Sequence, residues 1–70
     1  MRYKQEFAER LRMAAAKKDL RRIDIARAVG IKPTTVTDYM RGHSLPNVEV
    51  AKEITELLEV DANWLLGVNR

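Results

Sequence analysis

The sequence predicts a small all-α protein, and three observations support this prediction. Its 70 residues include only three glycines and two prolines, whereas alanine, leucine and the long charged residues that favour helices are abundant. Apolar residues recur at the three- and four-residue spacing of a helix face. Gly30 and Pro33 separate two short helical segments within residues 22–42. The length fits a single domain over residues 1–70.

The segment 22–42 is the part of the chain around which the rest is organised. Ile25, Ala26 and Val29 share one face of its first helix. Gly30 ends that helix because glycine adopts the left-handed backbone conformation without a steric penalty. Pro33 suits the first turn of the next helix, where its fixed φ is already helical. In the second helix, Val36, Tyr39 and Met40 are predicted to face the core. The side chains predicted to face outward are those of Thr34, Thr35, Thr37, Asp38 and Arg41.

Two longer helices are predicted on either side of this segment. A first helix is expected over about residues 4–18, with Phe7 and Leu11 inward. Asp19 after it is expected in a left-handed or turn conformation, which Asp tolerates better than most residues. A fourth helix begins after Asn47 as its cap and continues to about Leu58. Its inward stripe is predicted to comprise Val48, Ala51, Ile54, Thr55 and Leu58, and its acidic outer side Glu49, Glu53, Glu56 and Glu59.

A last short helix is predicted from Ala62 to Leu66, capped by Asp61 and ended by Gly67. Trp64 is expected to pack into the core. The apolar residues at this end exceed what so short a helix needs, so we expect part of them in the core and part in a self-association patch. The candidates for a dimer contact are Trp64, Leu65, Leu66 and Val68.

Charge is distributed unevenly along the chain. Residues 1–42 hold eleven Lys and Arg against five Asp and Glu, a net charge of +6, and residues 43–70 hold two against five, a net charge of −3. A basic half that carries an exposed helix is typical of a nucleic-acid binder. An unevenly charged, merely solvated surface would have the same composition.

Composition also argues against several classes of protein. The absence of cysteine excludes disulfides and Cys-ligated metal sites, and a single histidine, His43, argues against a zinc site. No apolar stretch approaches the ~20 residues of a membrane span, and the charged N-terminus is unlike a signal peptide. We therefore expect a cytoplasmic protein without metal or cofactor. The sequence also lacks a Gly-rich phosphate loop and a catalytic constellation, which argues against an enzyme.

The segment 22–42 resembles the helix-turn-helix of the phage-repressor and Cro family of transcriptional regulators. The residues that match the motif are Ile25, Ala26, Val29, Gly30, Ile31, Val36 and Tyr39. The match continues on both sides, with Phe7, Leu11 and Leu20 before the motif and Leu45, Pro46, Val48, Ile54, Leu58, Val60, Trp64, Leu65, Leu66 and Gly67 after it. The resemblance implies a compact five-helix, repressor-like DNA-binding domain in which helices 2 and 3 form the helix-turn-helix.

The resemblance also implies which side chains contact DNA. The candidates for base edges are Lys32, Thr34, Thr37 and Asp38, and those for phosphates are Arg21, Arg22, Thr35, Arg41 and His43. A threonine methyl can pack on a thymine methyl, and a carboxylate can accept from cytosine N4. For Asp38 we favour an intramolecular pair with Arg41 over a base contact. For Thr35 and His43 a DNA contact and an exposed side chain without a role both stay open.

Two features depart from the family's pattern. Arg22 stands where the family commonly has a glutamine that touches a phosphate and braces the reading helix. An arginine can contact phosphate as a charged fork, but bracing does not follow from the sequence. Ala15 and Met40 stand where family members often carry an Arg–Glu ion pair between helices 1 and 3. Apolar packing can replace such a pair without loss of stability, so we expect Ala15 and Met40 to lie close together.

Two functional hypotheses follow. The first is a sequence-specific double-stranded DNA-binding transcriptional regulator, a repressor that binds a palindromic operator as a homodimer. The alternative is a protein-interaction module, such as an antitoxin-like domain, that binds a partner protein through the acidic fourth helix and the apolar C-terminal residues. A further C-terminal domain is also open, because a unit of this kind can be a complete Cro-like protein or the DNA-binding part of a larger repressor.

Overall fold

The computed structural model describes residues 3–67, which form five α-helices and no strand. The helices are α1 (Tyr3–Lys17), α2 (Arg22–Val29), α3 (Pro33–Arg41), α4 (Val48–Leu58) and α5 (Ala62–Leu66). Every predicted helix is present, and the ends of α1 differ from the expected ends by one residue each. The predicted all-α class, with helices 2 and 3 as the helix-turn-helix, is confirmed.

The first helix is the element against which the candidate reading helix is held. α1 packs on α3 and α5, and α2 packs on α3 and α4. Phe7 and Leu11 of α1 are fully buried. The ring of Phe7 meets the ring of Tyr39 on α3 edge to face, with centroids 6.1 Å apart and an interplanar angle of 78°. The other large side chains that are fully buried are Ile25, Val36, Ile54, Leu58 and Leu65.

The turn between α2 and α3 follows the predicted backbone chemistry. Gly30 has a φ of +82°, and its N–H donates to the carbonyl of Ala26 at 2.8 Å. Asp19, in the link between α1 and α2, also has a positive φ of 57°, as expected for a short polar residue after a helix. A left-handed residue therefore ends each of the first two helices, and the chain turns sharply at both places.

The last two helices begin at the predicted caps. The side chain of Asn47 accepts a hydrogen bond from the N–H of Val50 at 2.8 Å, and that of Asp61 accepts from the N–H of Asn63 at 3.0 Å. Each cap satisfies a backbone N–H that has no partner within the helix. Glu59 ends α4 in the left-handed conformation, with a φ of 57° that the sequence analysis did not predict.

Two expectations about burial are wrong. Val48 is 86% exposed instead of facing the core, because it is the first residue of α4 and the buried stripe begins only at Ala51. Leu65, a candidate for the dimer contact, is fully buried because α5 packs on α1 and this side chain fills the core. Trp64 and Leu66 are half-buried against the core, and Val68 lies outside the described residues. Leu65 is therefore unavailable to a second chain.

The positions where the ion pair is replaced carry apolar side chains in the core. Ala15 is buried, and Met40 is half-buried against the core. The guanidinium of Arg12, also on α1, donates to the backbone carbonyl of Met40. The direct contact of Ala15 with Met40 stays a prediction. The hydrogen bond from Arg12 ties α1 to the C-terminal end of α3 without burying a carboxylate.

Replacing Leu11 by alanine is expected to lower the free energy of unfolding by about 2–5 kcal/mol, because it opens a cavity among fully buried side chains. Met13→Ala on the same helix is the matched control. Met13 is 62% exposed, so its truncation should change stability by less than about 0.5 kcal/mol. Urea unfolding followed by circular dichroism measures both effects. Equal losses in the two variants would contradict the packing described for α1.

Candidate nucleic-acid interface

The outer face of α3 is polar and accessible. Thr34, Asp38 and Arg41 are exposed, and Thr35 and Thr37 are half-buried. Val36 and Tyr39 face the opposite side and are buried. The helical period thus divides α3 as predicted, with the anchoring residues on one face and candidate DNA contacts on the other.

Lys32 precedes this helix in the N-cap position. Its backbone is extended, with φ −74° and ψ 143°, and its side chain makes no capping hydrogen bond. The side chain is exposed. The ammonium group therefore lies beside the start of α3, where it is free to contact DNA.

A side-chain hydrogen bond joins α2 to α3, and a second hydrogen bond continues from it within α3. Arg22 Nη1 donates to the hydroxyl of Thr37 at 3.1 Å. That hydroxyl donates in turn to the carbonyl of Pro33, also at 3.1 Å, one helical turn earlier. Arg22 thus braces the candidate reading helix, a role that the sequence left undecided. Its guanidinium retains further N–H groups for a phosphate.

The start of α2 is held by a carboxylate. Asp24 accepts a hydrogen bond from the backbone N–H of Arg21 at 2.9 Å, and Arg21 Nε lies 3.5 Å from the same oxygen. The backbone hydrogen bond, reinforced by the charge of Arg21, lowers the pKa of Asp24 and outweighs the opposing effect of desolvation. Arg21, a phosphate candidate, therefore has a partner on its own helix before any DNA is present.

The expected pair between Asp38 and Arg41 is wrong. Asp38 Oδ1 instead lies 3.8 Å from Nδ1 of His43. The reason is the left-handed Gly42, φ +77°, which turns the chain back so that the N–H of His43 donates to the carbonyl of Asp38 at 2.9 Å. Among the described residues Arg41 forms no ion pair, and its exposed guanidinium stays available.

A separate apolar groove lies on another part of the molecule. It has a volume of about 840 Å³ and runs between α1 and the connection from α4 to α5. Met13, Lys17, Val60 and Trp64 contribute to its walls. The Arg10 guanidinium carbon lies 5.7 Å from the Trp64 ring centroid, and Arg10 also donates to the Trp64 carbonyl at 2.7 Å. The two contacts with Arg10 thus fix the position of Trp64, which borders the groove.

Comparison with known families decides what the two-helix unit is. A family model described as helix-turn-helix matches residues 9–65 of the chain. The protein belongs to the helix-turn-helix family of the repressor and Cro type. Searches of curated proteins and of solved structures gave no significant match. The family match spans all of α2, α3 and α4 together with most of α1 and α5.

As a helix-turn-helix protein, the chain is a DNA-binding regulator, and α3 occupies the place of the recognition helix. The family is one of DNA-binding regulators. Within residues 3–67 no group of His, Asp or Glu side chains is arranged to hold a metal ion. None of the helices in that range is both long and apolar enough to pass through a bilayer.

The pKa of Asp24 gives a pH test of the start of α2. Because this pKa is lower in the folded chain than the ordinary 3.8, the ionised carboxylate stabilises the fold above that pH, and the contribution is lost as the pH falls through the lowered value. Urea midpoints should therefore show wild type more stable than Asp24→Asn near neutral pH, with the difference shrinking as the pH falls below 3.8. Arg21→Ala should keep most of the pH effect, since it retains the backbone N–H. A pH-independent difference would contradict the assignment.

Proposed function

We propose that this helix-turn-helix protein is a sequence-specific repressor that binds a palindromic double-stranded DNA operator as a homodimer. The observation that carries the proposal is the polar, accessible face of α3, fixed on α1 and α2 through its buried opposite face. A rigid helix with short polar side chains fits the major groove. Repression follows when operator binding blocks polymerase, a step that rests on family analogy.

Charge supports DNA as the partner of this surface. Residues 21–43 contain five Lys and Arg against two Asp. Of these two, Asp24 is engaged by Arg21 and Asp38 lies beside His43. The proposed phosphate contacts are Arg21, Arg22, Thr35, Arg41 and His43, and the proposed base-edge contacts are Lys32, Thr34, Thr37 and Asp38. Neutralising phosphates releases bound counterions, so affinity should depend steeply on salt.

The short length of one recognition helix is the reason for proposing a homodimer. α3 has nine residues, about 14 Å of helix at ~1.5 Å per residue, which spans a few base pairs only. Two copies related by a two-fold axis would contact half-sites one helical turn, ~34 Å, apart. Trp64 and Leu66, which stay half-buried, are the described candidates for the contact between the copies. A regulator of this kind acts on DNA in the cytoplasm.

Salt-dependent binding is the first test of the proposal. Fluorescence anisotropy of a labelled random-sequence duplex, at two salt concentrations, should show affinity falling steeply as salt rises. Arg41→Ala should weaken binding across sequences and reduce the salt slope by about 1. Lys17→Ala removes the same charge beside the apolar groove and should leave the slope unchanged. If the protein does not bind the duplex even at low salt, the proposal that this chain binds DNA is refuted.

The dimer is tested by stoichiometry on an operator selected from a random library. Sedimentation of the complex should give two chains per duplex, and the footprint should show two protected half-sites about one turn apart. A duplex cut to a single half-site should bind far more weakly, because the second set of contacts is lost. One chain per full operator with an asymmetric footprint would refute the homodimer.

A second candidate function is protein binding, which the apolar groove and the exposed acidic face of α4 favour. In that case a partner protein, such as the toxin of a toxin–antitoxin pair, covers this side. The double variant Arg22→Ala, Lys32→Ala discriminates between the two. It should abolish activity if the protein works through DNA, and it should leave partner binding intact if it works through the groove.

A further inference from the structure

We propose that Thr37 reads a thymine through its methyl group, and that Arg22 is the positioning residue that holds it in this orientation. The inference rests on the proposed function, since it concerns how the α3 surface selects an operator. It deepens that function by assigning one base preference to one side chain. The two hydrogen bonds of the Thr37 hydroxyl support this assignment.

A threonine hydroxyl has one hydrogen to donate and two lone pairs that can accept. In Thr37 the hydrogen is directed at the carbonyl of Pro33, 3.1 Å away. Arg22 Nη1 donates to one lone pair, also at 3.1 Å. The hydroxyl thus reaches DNA without a free hydrogen. It cannot donate to guanine N7 or O6, to adenine N7 or to thymine O4, which are the acceptors of the major groove.

The same two hydrogen bonds fix the rest of the side chain. Threonine is branched at Cβ, so setting the position of Oγ1 also sets the position of the methyl group. Thr37 is half-buried on α3, and its methyl is the group left without a polar partner. The 5-methyl of thymine is the apolar feature that the major groove offers to such a group. Thymine is therefore the base that the methyl group favours, whereas the remaining lone pair of the hydroxyl can accept only from an amino group of adenine or cytosine.

Arg22 has two roles in this arrangement. One of its N–H groups is directed at Thr37, and the others can contact a phosphate. A guanidinium drawn to the DNA backbone thus remains tied to the side chain that reads the base. Loss of the donor leaves only the hydrogen bond to the Pro33 carbonyl to hold the Thr37 side chain, and the methyl contact then weakens. Arg22 acts on base preference through Thr37 and not through a base contact of its own.

Thr34 provides a contrast on the same helix. It is exposed, and no hydrogen bond of its hydroxyl is found among the described residues. Its hydroxyl can rotate and donate or accept as the DNA requires. Substitutions at Thr34 and Thr37 therefore have different expected effects, although the residue type is the same.

The experiment begins with an operator selected from a random duplex library by the wild-type protein. Each thymine is then replaced in turn by deoxyuridine, which lacks only the 5-methyl group. At one thymine in each half-site the wild-type affinity should fall about fourfold, the factor expected for losing one buried methyl group. Thr37→Val keeps a methyl at this place and should retain the uridine effect, whereas Thr37→Ser keeps the hydroxyl and should lose it.

Arg22 is tested by the same readout. Arg22→Met removes the donor and should reduce the uridine effect at that thymine, and Arg22→Lys should restore part of it. A residue needed only for phosphate contact would lower affinity for the thymine and uridine duplexes by the same factor. Lys17→Met removes a charge beside the apolar groove, outside the proposed interface, and as the matched control should leave the effect unchanged. Unfolding midpoints confirm that each variant is folded at the assay temperature.

The outcomes separate this inference from the function on which it rests. If the wild-type protein selects an operator but no uridine effect depends on Thr37, the inference is wrong and the DNA-binding function stands. Greater loss of selectivity in Thr37→Val than in Thr37→Ser would show that the hydroxyl reads an amino group, which also overturns it. If the wild-type protein enriches no sequence, the proposed function fails and the inference fails with it.

Discussion

The edge-to-face contact between Phe7 and Tyr39 joins α1 to α3, and the placement of the recognition helix depends on it. The contact involves a fully buried ring on α1 and a nearly buried one on α3. Arg12 supplies a second link between the same helices at the C-terminal end of α3. Two attachments at different levels fix both the position and the direction of α3. The polar face can therefore be presented on a rigid support, as recognition of a groove requires.

The helices and their ends could be predicted because their determinants are local. Gly30, Asp19, Asn47 and Asp61 act on the backbone within a few residues of themselves, and each acts as the sequence indicates. Burial at the ends of the apolar stripes was harder to predict. The periodicity that places Val48 inward says nothing about where the neighbouring helix stops.

The positions that form the candidate interface could be predicted from the sequence. The partners of their side chains were harder to predict. The outward face of α3 follows from its 3.6-residue period, whereas the partners of its side chains depend on competition between exposed groups of similar energy. Gly42 determines the partner of Asp38, because the turn at Gly42 brings His43 back toward the Asp38 carboxylate. For Arg22 the deciding factor was the crossing of α2 and α3, which brings it to a residue fifteen positions away. The crossing of two helices is a tertiary feature that the spacing of residues in the sequence does not specify.

The contact of α1 with α3 consists of apolar side chains and one hydrogen bond to a backbone carbonyl, and this has a consequence for regulation. Salt screens interactions between opposite charges, but it has little effect on apolar burial. The ion pairs of the described residues, such as Lys18 with Glu59, lie at the surface and contribute little to stability. The stability of the proposed repressor should therefore change little with ionic strength. Its affinity for DNA, in contrast, should fall as the ionic strength rises. A rise in salt concentration would therefore release the proposed repressor from its operator while the amount of folded repressor stayed constant.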